Sequence, residues 1–489
     1  MLIIYCNACL FQLDFKYLIW QNFFLIINLI SKNLLEYKIL IDIQENQKQV
    51  SFYKHMQKPS NSSLSSKFQN IDLKNQVMTL IGREKLSNLL SELSKCSNLI
   101  TLILNLYFFN NKDLEYGEFG CELAKLQKLK QFQLNFSQNQ VTEQFISEFS
   151  SGFEQLPNIL ELNLNFNKCK MDSYSIFTLV SAIQKRFNLT KLNLNMNSIQ
   201  IDQNSLSELS SNLSKLTILE FLTLNLESNN IIDEGAIGLS QAILQLVNLR
   251  YLILTLNNNK ITSIGVSNLI QSLEKCKDIF QLNLIFNDNQ ISDQGVKSLG
   301  QGLSKYLKLT ELSIGLSGNK ISDEGVIILG QYLTNCIELT KLSISLRSQF
   351  VTCQGIETFS IELNKCSKLY WVDIEFDWNK TIVNNTQDLL SSENIAKYQS
   401  FSIRFQKSSG TSFGSYSYKY VLKIKLWFNQ LLMWENDMFF GFNQLDKFSH
   451  FEMYLNCSLI NDQIVKDLGY GLARYQKLQY LILYLQQFY

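Results

Sequence analysis

Residues 249–278 read LRYLILTLNNNKITSIGVSNLIQSLEKCKD, residues 279–308 read IFQLNLIFNDNQISDQGVKSLGQGLSKYLK, and residues 309–338 read LTELSIGLSGNKISDEGVIILGQYLTNCIE. The three stretches are variants of one pattern. Working outward from them, the leading residue recurs as Leu99, Leu129, Ile159, Leu189, Leu219, Leu249, Ile279, Leu309, Leu339 and Leu369, every step being 30 residues. An unbroken period of this length marks stacked units, each burying its apolar face only against its neighbours.

Within a unit the template is LxxLxLxLxxNxIxDxGxxxLxxxLxxC. The LxLxL portion alternates with period two and predicts a strand with one buried face. NxIxDxG predicts a turn followed by a helix start, with Asp233, Asp293 and Asp323 as expected N-caps. Gly235, Gly265, Gly295, Gly325 and Gly355 follow two residues later, where close helix packing would exclude a side chain. The GxxxLxxxL run places one apolar stripe on a helix.

One strand and one helix per unit, with these leucines and the asparagine of the turn, resemble the leucine-rich repeat family in its ribonuclease-inhibitor-like class. The resemblance covers about residues 80–489. It implies an α/β solenoid, a horseshoe with a parallel inner sheet and outer helices, because helices need more lateral room than strands. The extra pair of strand residues predicts strands somewhat longer than the family's. The resemblance also implies that Asn139, Asn229, Asn259, Asn289, Asn319 and Asn379 are structural, binding backbone groups in the turns.

Four segments are expected. Residues 1–45 are apolar and irregular, 46–79 form a polar linker, 80–397 carry the regular repeats, and 398–489 carry degenerate repeats with a Ser/Gly-rich loop at 406–418. A helix over 84–96 would cap the array. The most apolar run, 17–30, is short for a roughly 20-residue span and contains Gln21, Asn22 and Asn28, so a membrane anchor is disfavoured. Residues 1–45 are read as an irregular cap or a misplaced start. In the degenerate region the trios Phe401/Ile403/Phe405, Leu422/Ile424/Leu426, Phe451/Met453/Leu455 and Leu481/Leu483/Leu485 retain strand alternation. An array stopping just after a strand would expose an uncapped edge, which implies either a homodimer through it or a truncated reading.

Composition narrows the function. Two prolines, Pro59 and Pro157, suit a chain made of ladders and helices, where a missing N–H is costly. Two histidines, His55 and His450, leave little for His-based metal sites or acid–base catalysis, and no cofactor is expected. A net charge of +1 argues against a nucleic-acid groove. Among ten cysteines, Cys6 and Cys9 form an isolated CxxC, whereas Cys96, Cys276, Cys336 and Cys366 share one slot that elsewhere holds leucine. They read as buried, reduced residues in a cytoplasmic protein. Residues 410–414, GTSFG, match G-x-S-x-G around Ser412, and His450 follows, but the motif sits in a loop rather than at a strand–helix elbow. Neither a phosphate-binding loop nor kinase signatures are found.

The strand residues between the leucines face the inner side. Asn105, Asn135, Asn165, Asn195 and Asn225 occupy one column in consecutive repeats and are expected to bond from repeat to repeat as an amide ladder. Farther along stand Phe221 and Tyr251, then Lys341 and Arg347, then Trp371, Asp373, Glu375, Asp377 and Trp378. Aromatic residues flanked by charges are the composition of interface hot spots. The expected function is a non-catalytic scaffold binding a protein or peptide on the concave face. The resemblance also implies an alternative, an enzyme regulator such as a GTPase activator or enzyme inhibitor, or a repeat region related to kinase-linked leucine-rich repeat proteins.

Overall fold

The computed structural model describes residues 99–106, 119–348 and 350–377, together with the strands at 2–7, 39–43, 70–72, 77–81, 400–406, 423–429, 450–456 and 480–486. By its contacts the chain divides into two compact units, Ser60–Gly315 and a second made of Met1–Pro59 with Leu316–Tyr489. The repeat pattern runs through this boundary without a mark. Among the described residues both units are built from parallel strands, alternating with helices from Phe119 to Leu363, an α/β leucine-rich repeat solenoid.

The period-two alternation produces the strands. Thr101–Asn105, Gln131–Asn135, Glu161–Asn165, Lys191–Asn195, Phe221–Asn225, Tyr251–Thr255 and Gln281–Ile285 pair in parallel with equivalent slots directly opposite. They are five residues long, and in the second unit Lys341–Leu346 has six and Trp371–Asp377 seven. The third leucine of LxLxL follows the strand: Leu256 lies one residue beyond Thr255 and is buried under the turn. That turn needs a left-handed residue in the same slot of seven repeats, occupied by Gln138, Lys168, Ser198, Ser228, Asn258, Asp288 and Gly318.

The period-four stripe produces the helices. Ser263–Ser272, for example, buries Val266, Leu269 and Ile270. At the start of the first unit the core is aromatic: Phe136 stacks on Phe145 with centroids 4.4 Å apart, and Phe149 and Phe153 extend the cluster. Helix starts differ from expectation by one residue. The N-caps are Thr142, Asp172, Asp202, Ile232, Thr262, Ser292, Ser322 and Thr352. Asp172 and Asp202 accept from the backbone N–H of Ser175 and Ser205 at 2.8 and 2.7 Å. Asp233, Asp293 and Asp323 are instead the first helical residues. Asp233 and Asp323 reach into the following repeat, where they accept from the N–H of Thr262 and Thr352.

The asparagine slot is structural, as expected. Asn259 donates to the carbonyls of Leu226 and Leu256 and accepts from the N–H of Asn229 and Ile231, at 2.9–3.1 Å. Asn139, Asn229, Asn289 and Asn319 are buried in the same role, while Asn379 lies outside the described residues. Cys276, Cys336 and Cys366 are buried free thiols; Cys96, the cap helix at 84–96, Cys6–Cys9 as a site and the Ser412 loop fall outside what is described.

The flanking segments hold more strand than expected. In the supposed linker, Asn70–Asp72 and Val77–Ile81 form an antiparallel pair, and Val77–Ile81 adds in parallel to Thr101–Asn105. The apolar run VMTLI supplies the alternation that the polar composition around it hides. In the second unit three of the alternating trios lie in seven-residue strands, Ser400–Gln406, His450–Asn456 and Tyr480–Gln486, while of the fourth Ile424 and Leu426 lie in Lys423–Asn429 and Leu422 falls outside the described residues. Within the segment read as irregular, Leu2–Asn7 and Ile39–Ile43 are paired strands, and Leu2–Asn7 also pairs with Tyr480–Gln486. The edge expected to be open is therefore occupied by the chain itself, which removes the premise for a homodimer through it.

Candidate protein-binding face

In the Ser60–Gly315 unit the inward-pointing strand residues fall into rows crossing the strands. The row two residues after each leader reads Thr101, Gln131, Glu161, Lys191, Phe221, Tyr251, Gln281 and Glu311. Parallel, in-register pairing makes these residues lateral neighbours about 4.8 Å apart along the row. The hydroxyl of Thr101 donates to Gln131 at 2.9 Å. Lys191 Nζ meets Glu161 Oε1 at 3.0 Å and sits 5.1 Å from the centroid of the Phe221 ring. Phe221 and Tyr251 are tilted by 38° with centroids 5.9 Å apart. The lysine is thus held between a carboxylate and an aromatic face, and the two rings continue the row.

The next row, Ile103, Gln133, Asn163, Asn193 and Thr223, carries no charge and offers amide donors and acceptors. Together the two rows line an open cavity of about 330 Å³. Burial, and secondarily the carboxylate of Glu311, pushes the Tyr251 hydroxyl above its ordinary pKa.

The asparagine column behaves differently from the ladder expected of it. Asn105, Asn135, Asn165, Asn195 and Asn225 are in register, and Asn135 Nδ2 donates to Asn105 Oδ1 at 3.0 Å. Asn165, Asn195 and Asn225 instead turn their carbonyl oxygens to the backbone N–H two residues on, at 3.0–3.1 Å. An amide at a strand end finds this local N–H within easy reach, and the local bond needs no partner repeat.

Of the other sequence-derived candidates, Lys341, Arg347, Trp371, Asp373, Glu375 and Asp377 belong to the second unit, whereas Phe221 and Tyr251 belong to the first. Lys341 lies opposite Trp371, and Ser343 and Ser345 lie opposite Asp373 and Glu375. Glu375 accepts from the hydroxyl of Ser345 at 2.9 Å and meets Arg347 Nε at 3.6 Å. With its side chain 13% exposed, Glu375 serves its neighbours more than an incoming partner. Asp377 ends its strand, and Trp378 lies outside the described residues. Glu161, Lys191 and Gln131 were missed by the sequence reading. Their signal was available, since they share the row of Phe221 and Tyr251 at the same 30-residue offset.

A parallel strand and a helix recurring every 30 residues, with Asn139, Asn229, Asn259 and Asn289 each buried and tying its turn to the previous one, define a leucine-rich repeat array. The Leucine Rich repeat family model matches residues 220–240 and 308–330. The chain is a leucine-rich repeat protein. Similar solved structures include an internalin (inlF) from Listeria monocytogenes str. 4b F2365, at 19% identity over 73% of this chain and 81% of that one, with a TM-score of 0.39. An internalin C2 (inlC2) from the same strain is 20% identical over 48% of this chain and 84% of its own, with a TM-score of 0.29. Leiomodin-1 Actin-Binding Site 2 is 17% identical over 34% of this chain and 87% of its own, with a TM-score of 0.26. No curated protein matches the sequence.

Proposed function

We propose that the chain is a non-catalytic scaffold of the ribonuclease-inhibitor-like class, binding a protein or peptide on the inner face of its first unit. The observation that carries this reading is the row Glu161–Lys191–Phe221–Tyr251 along a 330 Å³ cavity. Two tilted aromatic rings beside a fixed ion pair, over a floor of amides, combine hot-spot residue types with donors and acceptors for a peptide backbone. The strands beneath are rigid, so binding orders little of the scaffold. Helices of 10–12 residues in the described repeats from Glu143 to Leu363 support the class, and buried free thiols support a reducing compartment.

The test is affinity capture from the native cell, followed by calorimetry on the recovered partner. A Phe221→Ser/Tyr251→Ser variant is expected to weaken binding by about 30-fold or more, the scale of one or two aromatic hot spots. A Trp371→Ala/Glu375→Ala variant is expected to retain it. Full affinity in the first variant would overturn this face as the site.

A further inference from the structure

The near-zero net charge hides a separation of charge across the Ser60–Gly315 unit. Its helix-to-strand connections, residues 122–130, 152–160, 182–190, 212–220, 242–250, 272–280 and 302–310, hold eleven Lys and Arg against five Asp and Glu. Its strand-to-helix connections, residues 137–145, 167–175, 197–205, 227–235, 257–265 and 287–295, hold eight Asp and Glu against three Lys. Because all strands of the repeats run parallel, each set lies along one edge of the sheet. One edge is basic and the other acidic.

Helix dipoles account for part of this, since carboxylates favour helix N-termini and cations favour C-termini. They do not account for what stands among the cations. Phe187 is 73% exposed and Leu307 60%, and Val247, Ile218, Phe280 and Leu160 are exposed along the same edge. Phe187, Val247 and Leu307 occupy one slot in alternate repeats, so they line up. The acidic edge also exposes Ile264 and Tyr174, but among carboxylates.

We propose that the basic edge adsorbs peripherally to an anionic phospholipid surface, with Phe187, Val247 and Leu307 entering the headgroup region and the surrounding lysines neutralising lipid phosphate and carboxylate. Apolar side chains set in a cationic rim match the two attractions an anionic bilayer offers, burial and charge. A purely electrostatic partner such as RNA would have no use for the isolated aliphatic tips. No helix among the described residues is long and apolar enough to cross a membrane, consistent with adsorption alone. The inner face is left clear by this docking, so the inference stands independently of the proposed partner.

The experiment is sedimentation of the full chain with vesicles of phosphatidylcholine alone, or with about 30% phosphatidylserine. Binding is expected to the anionic vesicles, at least tenfold weaker to the neutral ones, and to weaken as salt rises. Two variants, Phe187→Gln/Val247→Gln/Leu307→Gln and Lys275→Gln/Lys277→Gln, are each expected to reduce it several-fold, their folding confirmed by circular dichroism. Either absence of binding to anionic vesicles or equal binding to both lipids overturns the proposal. So does full binding by the apolar-to-Gln variant, which would leave charge alone and point to an anionic polymer.

Discussion

Asp233 of one repeat holds the helix start of the next: its Oδ1 accepts from the backbone N–H of Gly265 at 3.1 Å, and a Cβ on Gly265 would lie 2.6 Å from that same oxygen. The carboxylate also accepts from the N–H and the hydroxyl of Thr262, at 2.8 and 2.5 Å. It therefore caps a helix to which it does not belong, and the missing side chain of Gly265 is the space it occupies. A glycine inside a helix is ordinarily improved by alanine, by up to about 1 kcal/mol. Here the sign reverses. Gly265→Ala is expected to destabilise by about 1–3 kcal/mol through overpacking. Gly238 is the control, because its added Cβ would meet Ser210 Oγ at an ordinary 3.6 Å. Gly238→Ala is expected to stabilise by about 0.5–1 kcal/mol. Urea unfolding of both variants measures the opposite signs.

Asn259 gives a larger effect. Its amide satisfies three carbonyls and two N–H groups in a site 8% exposed. Asn259→Ala removes every partner while leaving those backbone groups buried, at roughly 2–4 kcal/mol. Asn259→Asp keeps the acceptor, loses the donor and adds a buried charge, so it is expected to be no better than alanine. Equal stability of Asn259→Ala and the native chain in a denaturant titration would refute the role.

Legibility in the sequence followed how local the determining interaction was. The 30-residue period, the alternation of Leu252 and Leu254, and the asparagine slot were readable because each is repeated at fixed offset and each answers to one physical demand. The role of Asp233 was misassigned because a cap was sought within its own repeat, whereas its partners are 29 and 32 residues ahead. The asparagine column was read from its spacing alone, which fixes register but not which of two donors an amide will meet. Val77–Ile81 is hidden by its polar surroundings, and Glu161 and Lys191 are common surface residue types that stand out only as row neighbours of Phe221 and Tyr251.

Burial pushes the Cys276 thiol up to about 11 and the Cys336 thiol up to about 12, while Cys121 is exposed. A thiol protonated in the folded chain contributes stability that is complete below its unfolded value, near 8.5. That contribution declines as pH rises from there toward 11–12, because the unfolded state loses its proton first. Folding stability is therefore expected to fall above about pH 9, and less steeply in a Cys276→Ala/Cys336→Ala variant. At pH 8, maleimide labelling mapped by mass spectrometry should reach Cys121 and spare Cys276 and Cys336 until denaturant is added. Rapid labelling of the latter two in the native chain would contradict their burial.

The acid side of the profile belongs to the caps. Hydrogen bonds from Ser173 and from the N–H of Ser205 hold the Asp202 carboxyl below its ordinary range, and the N–H of Ser175 does the same for Asp172. A lowered folded pKa contributes stability that is present above the unfolded carboxylate range and is lost as pH falls through the folded value. Both carboxylates are solvent-facing, so the effect per residue is that of an N-cap, about 1 kcal/mol, rather than of a buried ion. Asp202→Ala is expected to destabilise by about 0.5–2 kcal/mol at pH 7. Asp172→Asn/Asp202→Asn keeps a neutral acceptor at both caps, so it should lose little at pH 7 and unfold over a shallower acid slope between about pH 5 and 2. Thermal melts across that range distinguish the outcomes: an unchanged slope in the double variant would mean that neither carboxylate is coupled to folding.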